Sequence, residues 1–391
     1  MRCEWKQVKL GDIATVKGGK RLPKNVNLIN TPNTHPYIRV RDLNDRVTLE
    51  LNDSFLYVDD ETQKGISRYI VNSDDIVISI VGTIGLVAKI GKTLDGANLT
   101  ENCVKITNLQ YIDKEYLFYY LKSVFGQQEI TRGIVGAVQQ KLPIKNIQEI
   151  IIIKYPELIE QKKIAAILSA LDEKIAINRA INDNLQQQTQ AIFKSWFIDF
   201  EPFSNRKPSD WSVSTLGNVS IMGAGGDKPQ NVSPIKTDLY EYPIYANGLS
   251  NAGLYGFTDK PKISEESVTV SARGTIGFVC LRHIPYVPIV RLVTLIPKTE
   301  IISAKYLYLW LKQLHITGTG TTQQQLTVPD FQKTEILVPS QEIVTLFTAT
   351  VEPIFEKIWA NQNENEKLSS LRDTLLPKLT SGELDVSAVE L

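Results

Sequence analysis

Two short motifs in this sequence resemble nucleotide-binding signatures, and both are incomplete. Gly91-Lys92-Thr93 matches the end of a phosphate-binding loop. That loop needs a glycine five residues before its Gly-Lys pair, and position 86 is leucine. Gly318-x-Gly320 lacks the third glycine of a dinucleotide-binding turn. We therefore expect no nucleotide site at either place.

The residues that most often bind metals or act as nucleophiles are few and widely spaced. The histidines and cysteines of the chain are His35, His283, His315, Cys3, Cys103 and Cys280. None of them has the paired spacing of a zinc site, and an odd number of scattered cysteines gives no disulfide framework. Free cysteines are typical of a reducing compartment. A histidine acting as a general base finds no support in its neighbours.

Acidic residues near position 330 resemble part of a nuclease motif. Pro329-Asp330 is followed by Glu335, but the residue two positions further on is Leu337 instead of the lysine that metal-assisted cleavage uses. The Asn/Asp-Pro-Pro-aromatic loop that grips the amino group in adenine methylation is absent from the sequence. We therefore expect the chain to have no catalytic residues, no metal and no cofactor of its own.

Polar residues on Gly- and Pro-bounded loops are the remaining candidates for chemistry. Arginine, asparagine and glutamine can make paired hydrogen bonds to base edges, whereas lysine and threonine more often hold phosphates. In the first half of the chain these residues are Lys20, Arg21, Lys24, Arg39, Arg41, Arg132, Gln139 and Gln140. In the second half they are Lys228, Tyr245, Asn247, Arg273, Thr321, Thr322 and Gln323. For any single one of them an ordinary surface loop is the favoured interpretation; as a set they favour nucleic-acid binding.

A duplicated helix positions these loops. The segments Glu157–Phe200 and Gln341–Leu376 align at a fixed offset of 183 residues and share Glu-Lys-Ile-x-x-Asn, at Glu173 and at Glu356. A mainly apolar 4-3 spacing runs for four heptads or more in each segment, which is typical of a coiled coil. A helix of about 40 residues spans roughly 60 Å, so we interpret it as a spacer.

Four asparagines occupy positions on the apolar seam of these helices: Asn178, Asn182, Asn361 and Asn365. A buried asparagine lowers stability but fixes register, because it needs a polar partner. Two copies within one chain can pack antiparallel about a pseudo-twofold axis, and we expect the asparagines to pair across it. A partly solvated polar mid-section is the alternative. Pro353 predicts a kink or a late start of the second helix, Arg372 interrupts the seam, and the acidic tail after Pro377 is expected to fray.

The globular segments before the helices are also copies of each other. Trp5-x-x-x-x-Leu-Gly recurs at Trp211, and Gly82-Thr-Ile-Gly recurs at Gly274. Short β-rich runs and short helices alternate in both, which predicts an α+β fold. We expect globular domains at residues 1–156 and 201–339 and helical segments at 157–200 and 340–391.

Charge divides along the same boundaries, although the net charge of the 391-residue chain is zero. Residues 1–155 carry 21 basic and 17 acidic residues, and residues 201–340 carry 13 and 11. The helical segments are acidic. A polyanion would therefore bind the globular parts and not the helices. With no signal peptide and no run of roughly 18 apolar residues, the chain is expected to be soluble and cytoplasmic.

In order and duplication these motifs resemble the specificity subunit of type I restriction–modification systems. The resemblance covers essentially the whole chain and includes the Gln-containing segments at Gln140 and Gln325, before the last strand of each globular part. It implies two tandem target recognition domains, each followed by a long helix, with the helices packed as an antiparallel coiled coil of pseudo-twofold symmetry. Each domain would read one half of an asymmetric bipartite site in double-stranded DNA.

The resemblance also implies partners. Two methyltransferase subunits would dock on the helices, and restriction/translocase subunits would join the full enzyme. S-adenosylmethionine would bind the methyltransferase subunits, and ATP and Mg would bind the restriction subunits. On the helices, Trp196, Phe197, Phe200 and Trp359 are candidates for helix pairing or partner contact.

Two other functions remain open from the residues alone. The chain could be a non-catalytic adaptor whose globular parts bind protein, or a methyltransferase or nuclease with a degenerate site. Salt-dependent retention on duplex DNA discriminates the first alternative from DNA recognition.

Overall fold

The computed structural model describes residues 6–43, 47–318 and 325–390. The chain divides into two compact units. The first unit contains residues 1–178 and 363–391, and the second contains residues 179–362. Each unit therefore combines one globular part with half of each long helix.

The first unit is built on mainly antiparallel sheets with helices packed against them. Its strands are β1 (Lys6–Lys9), β2 (Thr15–Gly18), β3 (Pro36–Ile38), β4 (Thr48–Leu49), β5 (Leu56–Tyr57), β6 (Ile76–Ser79), β7 (Val87–Ile90), β8 (Asn98–Leu99), β9 (Cys103–Thr107) and β10 (Ile151–Tyr155). The strand pairs β3-β8 and β4-β7 are parallel. Its short helices are α1 (Leu10–Ile13), α2 (Asp60–Ile66), α3 (Lys114–Lys122), α4 (Val124–Arg132) and α5 (Ile144–Gln148).

The principal sheet of this unit has the strand order β2-β9-β6-β7-β4. Strand β6 is buried along its whole length because its run of Ile and Val residues is covered on both faces. Helix α3 packs onto the sheet through its aromatic residues, and the Asp113 carboxylate caps it by accepting a hydrogen bond from the Tyr116 amide at 3.0 Å. Smaller sheets, β5-β3-β8 and β1-β10, complete the unit.

The second unit repeats this plan. Its strands are β11 (Ser212–Thr215), β12 (Ser220–Ala224), β13 (Tyr242–Tyr245), β14 (Leu254–Thr258), β15 (Ser267–Val270), β16 (Val279–Arg282), β17 (Val287–Pro288), β18 (Val293–Pro297) and β19 (Glu335–Val338). Its short helices are α7 (Leu216–Val219), α8 (Ala304–Gln313) and α9 (Val328–Phe331).

The strand order of the second unit confirms that the two globular parts share one α+β fold. The principal sheet runs β12-β18-β15-β16, which matches β2-β9-β6-β7 strand for strand. Helix α8 is capped by Ser303, whose hydroxyl accepts a hydrogen bond from the Tyr306 amide at 3.2 Å, as Asp113 caps α3. Smaller sheets again follow, β14-β13-β17 and β11-β19.

Both long helices contain 40 residues, α6 from Leu158 to Phe197 and α10 from Gln341 to Thr380. They begin within one residue of the predicted starts. Helix α10 passes through Pro353 as one element, so the prediction of a late start there is wrong. A proline costs one hydrogen bond, which a well-packed helix of this length can lose without ending.

The two helices pair in antiparallel fashion within each unit, as predicted. In the first unit Lys174 lies 3.5 Å from Glu364, and Asn178 donates a hydrogen bond to Asn365 at 3.0 Å. Arg372, further along α10, reaches back to Asp172 at 2.6 Å. The residue numbers rise along one helix as they fall along the other.

In the second unit α6 and α10 again pack antiparallel, joined by two asparagines at one end and by aromatic rings at the other. Asn361 donates to the Asn182 side chain at 2.8 Å, and Phe193 packs 5.9 Å from Phe347 between ring centroids. Asn182 also donates to the Ile358 carbonyl at 3.1 Å. The asparagines therefore lie on the helix seam: Asn178, Asn182 and Asn361 are buried and Asn365 is half-buried.

Arg372 and the C-terminal tail have clear structural roles in the first unit. Asp172 is buried between the Arg372 guanidinium and the Tyr119 hydroxyl, which donates at 2.7 Å, so a charged residue fits the seam at this point. The prediction that the tail frays is wrong. Val386 is buried in the core of the first unit, and the Lys163 ammonium donates to the Ser387 carbonyl at 2.7 Å. No helix in the described ranges is long and apolar enough to cross a membrane.

Candidate nucleic-acid interface

In the first unit, one end of the principal sheet gathers the predicted loops. The Gly18–Arg21 loop leaves β2 there, beside the turn that precedes β9. The Gly19 amide donates to the Cys103 carbonyl at 3.0 Å, and a Cβ on Gly19 would lie 2.0 Å from the Thr100 carbonyl oxygen. Only glycine allows this close approach.

The other two predicted loops of this unit join the same end of the sheet. The Thr100 amide donates to the Ile38 carbonyl at 3.1 Å, which brings in the loop that carries Arg39 and Arg41. The Leu142 amide donates to the Ile80 carbonyl at 3.0 Å, which brings in the loop that carries Gln139 and Gln140. Three sequence-distant polar loops therefore form one surface, which we call the first loop cluster.

The side chains of the first loop cluster have different surroundings. Lys20 and Lys24 are exposed, and the Lys20 ammonium lies 5.5 Å from the centre of the Tyr69 ring. Arg21 is exposed but pairs with Glu101 at 2.7 Å, and this carboxylate raises the pKa of the guanidinium. Arg132 is exposed and pairs with Glu129 in its own helix. Gln139 and Gln140 are exposed.

Arg39 differs from Arg41 in this cluster. Its guanidinium makes two hydrogen bonds of 2.8 Å to the carboxylate of Asp42 and a third of 3.0 Å to the Ser54 carbonyl. Asp42 is buried, so the pair holds the loop in place and leaves Arg39 little capacity to contact a base. Arg41 is exposed and forms no ion pair with any described residue.

The second unit gathers its loops at the corresponding end of its principal sheet. The Gly225 amide donates to the Leu292 carbonyl at 2.8 Å, which joins the Gly-rich loop after β12 to the turn before β18. The Leu326 amide donates to the Ala272 carbonyl at 3.0 Å, and Arg273 donates to the Gln325 side chain at 2.9 Å. We call this surface the second loop cluster.

Two residues of the second loop cluster that were predicted to contact DNA interact with other residues of the protein. The Asn247 side chain donates to the Val290 carbonyl at 2.6 Å and accepts from the Ala272 amide at 2.7 Å. The Tyr245 ring is half-buried, with the Arg282 guanidinium 3.5 Å from its centre. Asn247 therefore ties the turn at Val290 to the segment before Arg273. Lys228 is exposed and lies 5.9 Å from the centre of the Tyr255 ring.

Three predicted residues, Thr321, Thr322 and Gln323, lie outside the described ranges, as does Trp5. Arg291 is a candidate that the sequence did not indicate. It is exposed on the turn between β17 and β18 and has a left-handed φ of 59°. Val-Arg is not a turn signal, so no sequence pattern would have found it.

The aromatic residues predicted for helix pairing or partner contact differ in burial. Phe197 is buried in the core of the second unit, with its ring centre 4.8 Å from Tyr306 and 4.9 Å from Phe347 of α10, so it contributes to helix pairing and not to an exposed docking surface. Trp196 is half-buried against Phe347, and Trp359 is half-buried against His283.

Aliphatic residues off the seam are the exposed apolar groups of the helices. In the first unit these are Leu158, Ile159, Ile177 and Leu371. In the second unit they are Ile181 and Leu346, and exposed Ile198 directly follows the end of α6. The 4-3 pattern missed them because it selects only residues on the seam.

His283 lies in the second unit, against a tryptophan of α10. Its ring stacks on Trp359 at a centroid distance of 4.0 Å and an angle of 14°. Burial against this ring, with smaller contributions from the cations Lys305 and Arg282, lowers the pKa of His283 to about 4. Among the described residues no group of three or more histidine, cysteine or acidic side chains is arranged to hold a metal ion.

Comparison with known proteins agrees with this architecture. The chain matches the family model described as the type I restriction modification DNA specificity domain twice, over residues 3–187 and 208–369. The specificity subunit of the type I restriction enzyme MjaIX from Methanocaldococcus jannaschii is 26% identical, over 98% of this chain and 94% of that protein. That of HindI from Haemophilus influenzae is 25% identical, over 97% and 100%.

A solved structure supports the fold. The crystal structure of a type I restriction–modification S subunit from M. genitalium superimposes with a TM-score of 0.59 at 19% identity, covering 97% of this chain and 96% of that one. Since the family model matches most of its length, the chain belongs to the type I restriction–modification specificity subunits, which are separate from the subunits that methylate and cleave DNA.

Proposed function

We propose that the chain reads an asymmetric bipartite DNA site, with residues 1–156 and 201–339 as two target recognition domains. The observation that carries the proposal is the loop cluster of each unit. In both units, Gly-rich loops, turns and Gln-containing segments from distant parts of the chain meet at one end of the principal sheet. Surface loops on a fixed framework can vary in sequence without loss of the fold.

The chemistry of the two loop clusters supports different half-sites. Exposed basic residues occur in both, such as Lys24 and Arg41 in the first and Lys228 and Arg291 in the second. The first cluster pairs Arg21 with Glu101, whereas Arg291 forms no ion pair with any described carboxylate. Different arrangements of donors and acceptors would recognise different base edges.

The helices are proposed as the docking surface for two methyltransferase subunits, with restriction/translocase subunits completing the enzyme. Helix α10 carries four basic and six acidic residues, which makes it a poor phosphate binder. The exposed aliphatic residues of both helices fit a protein interface better than the buried Phe197. S-adenosylmethionine is then expected on the methyltransferase subunits, and ATP and Mg on the restriction subunits. We place the assembled complex in the cytoplasm.

Binding of the assembled methyltransferase complex to duplex DNA across a salt series tests this proposal. The logarithm of the affinity should fall linearly with the logarithm of salt concentration, by roughly 0.9 for each phosphate neutralised. A competitor duplex without the recognised site should bind more weakly at every salt concentration. Retention that neither depends on salt nor distinguishes the duplexes would favour a protein-binding adaptor instead.

A further inference from the structure

The turn between β17 and β18 in the second unit has an unusual backbone. Val290 and Arg291 have φ values of 53° and 59°, and the Leu292 amide donates to the Ile289 carbonyl at 3.1 Å. Positive φ at both central residues of a hydrogen-bonded turn is the pattern of type I′, which favours asparagine and glycine. A β-branched residue at positive φ is an outlier that the surroundings must hold in place.

The Gly-rich loop holds this turn on one side. The Val290 amide donates to the Gly226 carbonyl at 2.9 Å, and the Arg291 amide donates to the Gly225 carbonyl at 2.8 Å. A Cβ on Gly225 would lie 2.7 Å from backbone atoms of Ile289, so the two backbone segments are in direct contact. The turn therefore cannot relax without displacing the Gly-rich loop.

Asn247 holds the turn on the other side. Its amide nitrogen donates to the Val290 carbonyl at 2.6 Å, and its amide oxygen accepts from the Ala272 amide at 2.7 Å. One side chain thus ties the turn to the segment that carries Arg273. Three of the predicted loops of the second unit are fixed relative to the Arg291 backbone.

The charges around the turn favour a polyanion. Arg291, Lys228 and Lys262 are exposed, and none of them pairs with a carboxylate of the described residues. The Lys262 ammonium lies 3.7 Å from the position that a Cβ on Gly226 would take. In the first unit the turn beside Gly19 instead carries Glu101, which neutralises Arg21.

We propose that Arg291 determines specificity in the second half-site by reading a guanine, with Lys228 and Lys262 holding phosphates beside it. The inference rests on the proposed DNA-recognition function. An arginine fork matches O6 and N7 of guanine, and a side chain on a rigid backbone loses less conformational freedom on binding. A basic side chain that only contacts phosphates does not need a strained, rigid turn to position it.

The test compares assembled methyltransferase complexes that contain the wild-type chain, Arg291→Lys or Arg291→Ala. Genome-wide mapping of methylated bases gives the motif of each complex. Both variants should relax one G·C position in one half of the motif, with discrimination there falling about 10- to 100-fold, and leave the other half unchanged. Arg291→Lys keeps the charge and length but lacks the fork, so it separates base reading from phosphate binding.

Two further variants serve as controls. Arg206→Ala removes another exposed arginine of the same unit and should leave the motif unchanged. Val290→Asn suits the left-handed backbone better, and should raise the melting temperature while preserving the motif. A wild-type motif in the Arg291 variants, or a uniform loss of methylation at all positions, overturns the inference. A wild-type complex without any bipartite motif would instead overturn the proposed function.

Discussion

Arg39 and Arg41 belong to the same predicted loop, and the structure gives them different surroundings. Arg39 is almost enclosed and makes a bidentate pair with buried Asp42. Removing one partner of a buried pair leaves an uncompensated charge. Arg39→Ala should therefore lower the free energy of unfolding by about 3 kcal/mol, measured by denaturant titration.

Arg41 provides the matched comparison. Because it is exposed and unpaired with any described acid, Arg41→Ala should change the free energy of unfolding by less than about 0.5 kcal/mol. It should instead weaken DNA binding and reduce the slope of affinity against salt by about 1. If Arg39→Ala proved harmless to folding and Arg41→Ala harmful, the assignment of their roles would be reversed.

His283 gives the second unit a pH dependence. Its pKa is about 4 in the folded chain and 6.5 in an ordinary environment, so the unfolded chain binds the proton more readily. The free energy of unfolding should hence fall as the pH drops from 6.5 towards 4. His283→Phe retains a ring for the stack and cannot titrate, so its stability should fall less over this range. Equal slopes in pH-dependent denaturation of the two chains would contradict the argument.

At the scale of elements, the sequence predicted the helices well and their contacts less well. The 4-3 pattern located α6 and α10, and the asparagines lie on the seam as expected. The sequence left Phe197 open between helix pairing and partner contact, because it does not show whether an aromatic ring meets the other helix, a globular core or solvent. The tail around Val386 was misjudged for the same reason: its burial depends on contacts that are remote in sequence.

The asparagine pairs join α6 to α10 in each unit, and we expect them to fix the register of the two helices. Asn182 and Asn361 are buried and joined by a 2.8 Å hydrogen bond. Asn361→Leu alone leaves the Asn182 oxygen without its donor and should lower the free energy of unfolding by about 1–3 kcal/mol. Replacing both with leucine should raise the melting temperature above that of the wild type, since apolar contact then replaces a buried polar pair.

Thermal melting of the wild type, the single variant and the double variant decides this point. A double variant that melts below the single variant would mean that this position is not a buried seam. Native-state hydrogen exchange in α6 and α10 should meanwhile become faster in the double variant, because the helices lose the contact that distinguishes one register from its neighbours.

At the scale of the whole molecule, the duplication carries most of what the sequence reveals. The two-fold recurrence of the Trp-x-x-x-x-Leu-Gly, Gly-Thr-Ile-Gly and Glu-Lys-Ile-x-x-Asn motifs predicted two related α+β parts, and the matching strand order of the two units confirms this. The loop clusters could be predicted only as sets of residues. Tyr245 and Asn247 have the right chemistry for base contacts, and only the structure shows that the Asn247 side chain bonds to neighbouring loops and that the Tyr245 ring packs against Arg282.

The duplication also predicts that the two halves of the recognised site are independent. Exchanging residues 1–155 for the corresponding segment of another specificity subunit should change one half of the motif and preserve the other, because the second loop cluster is built entirely within residues 179–362. Mapping of methylated bases measures both halves at once. A change in both halves would mean that the clusters do not act separately.

The most direct test is genome-wide detection of methylated bases in cells that express this chain with its methyltransferase partner. DNA recognition by two different loop clusters predicts a new asymmetric motif, with two defined halves and an unspecified gap between them. If the partner is bound and active and yet no bipartite motif appears, the central claim is contradicted and the loop clusters must serve another purpose.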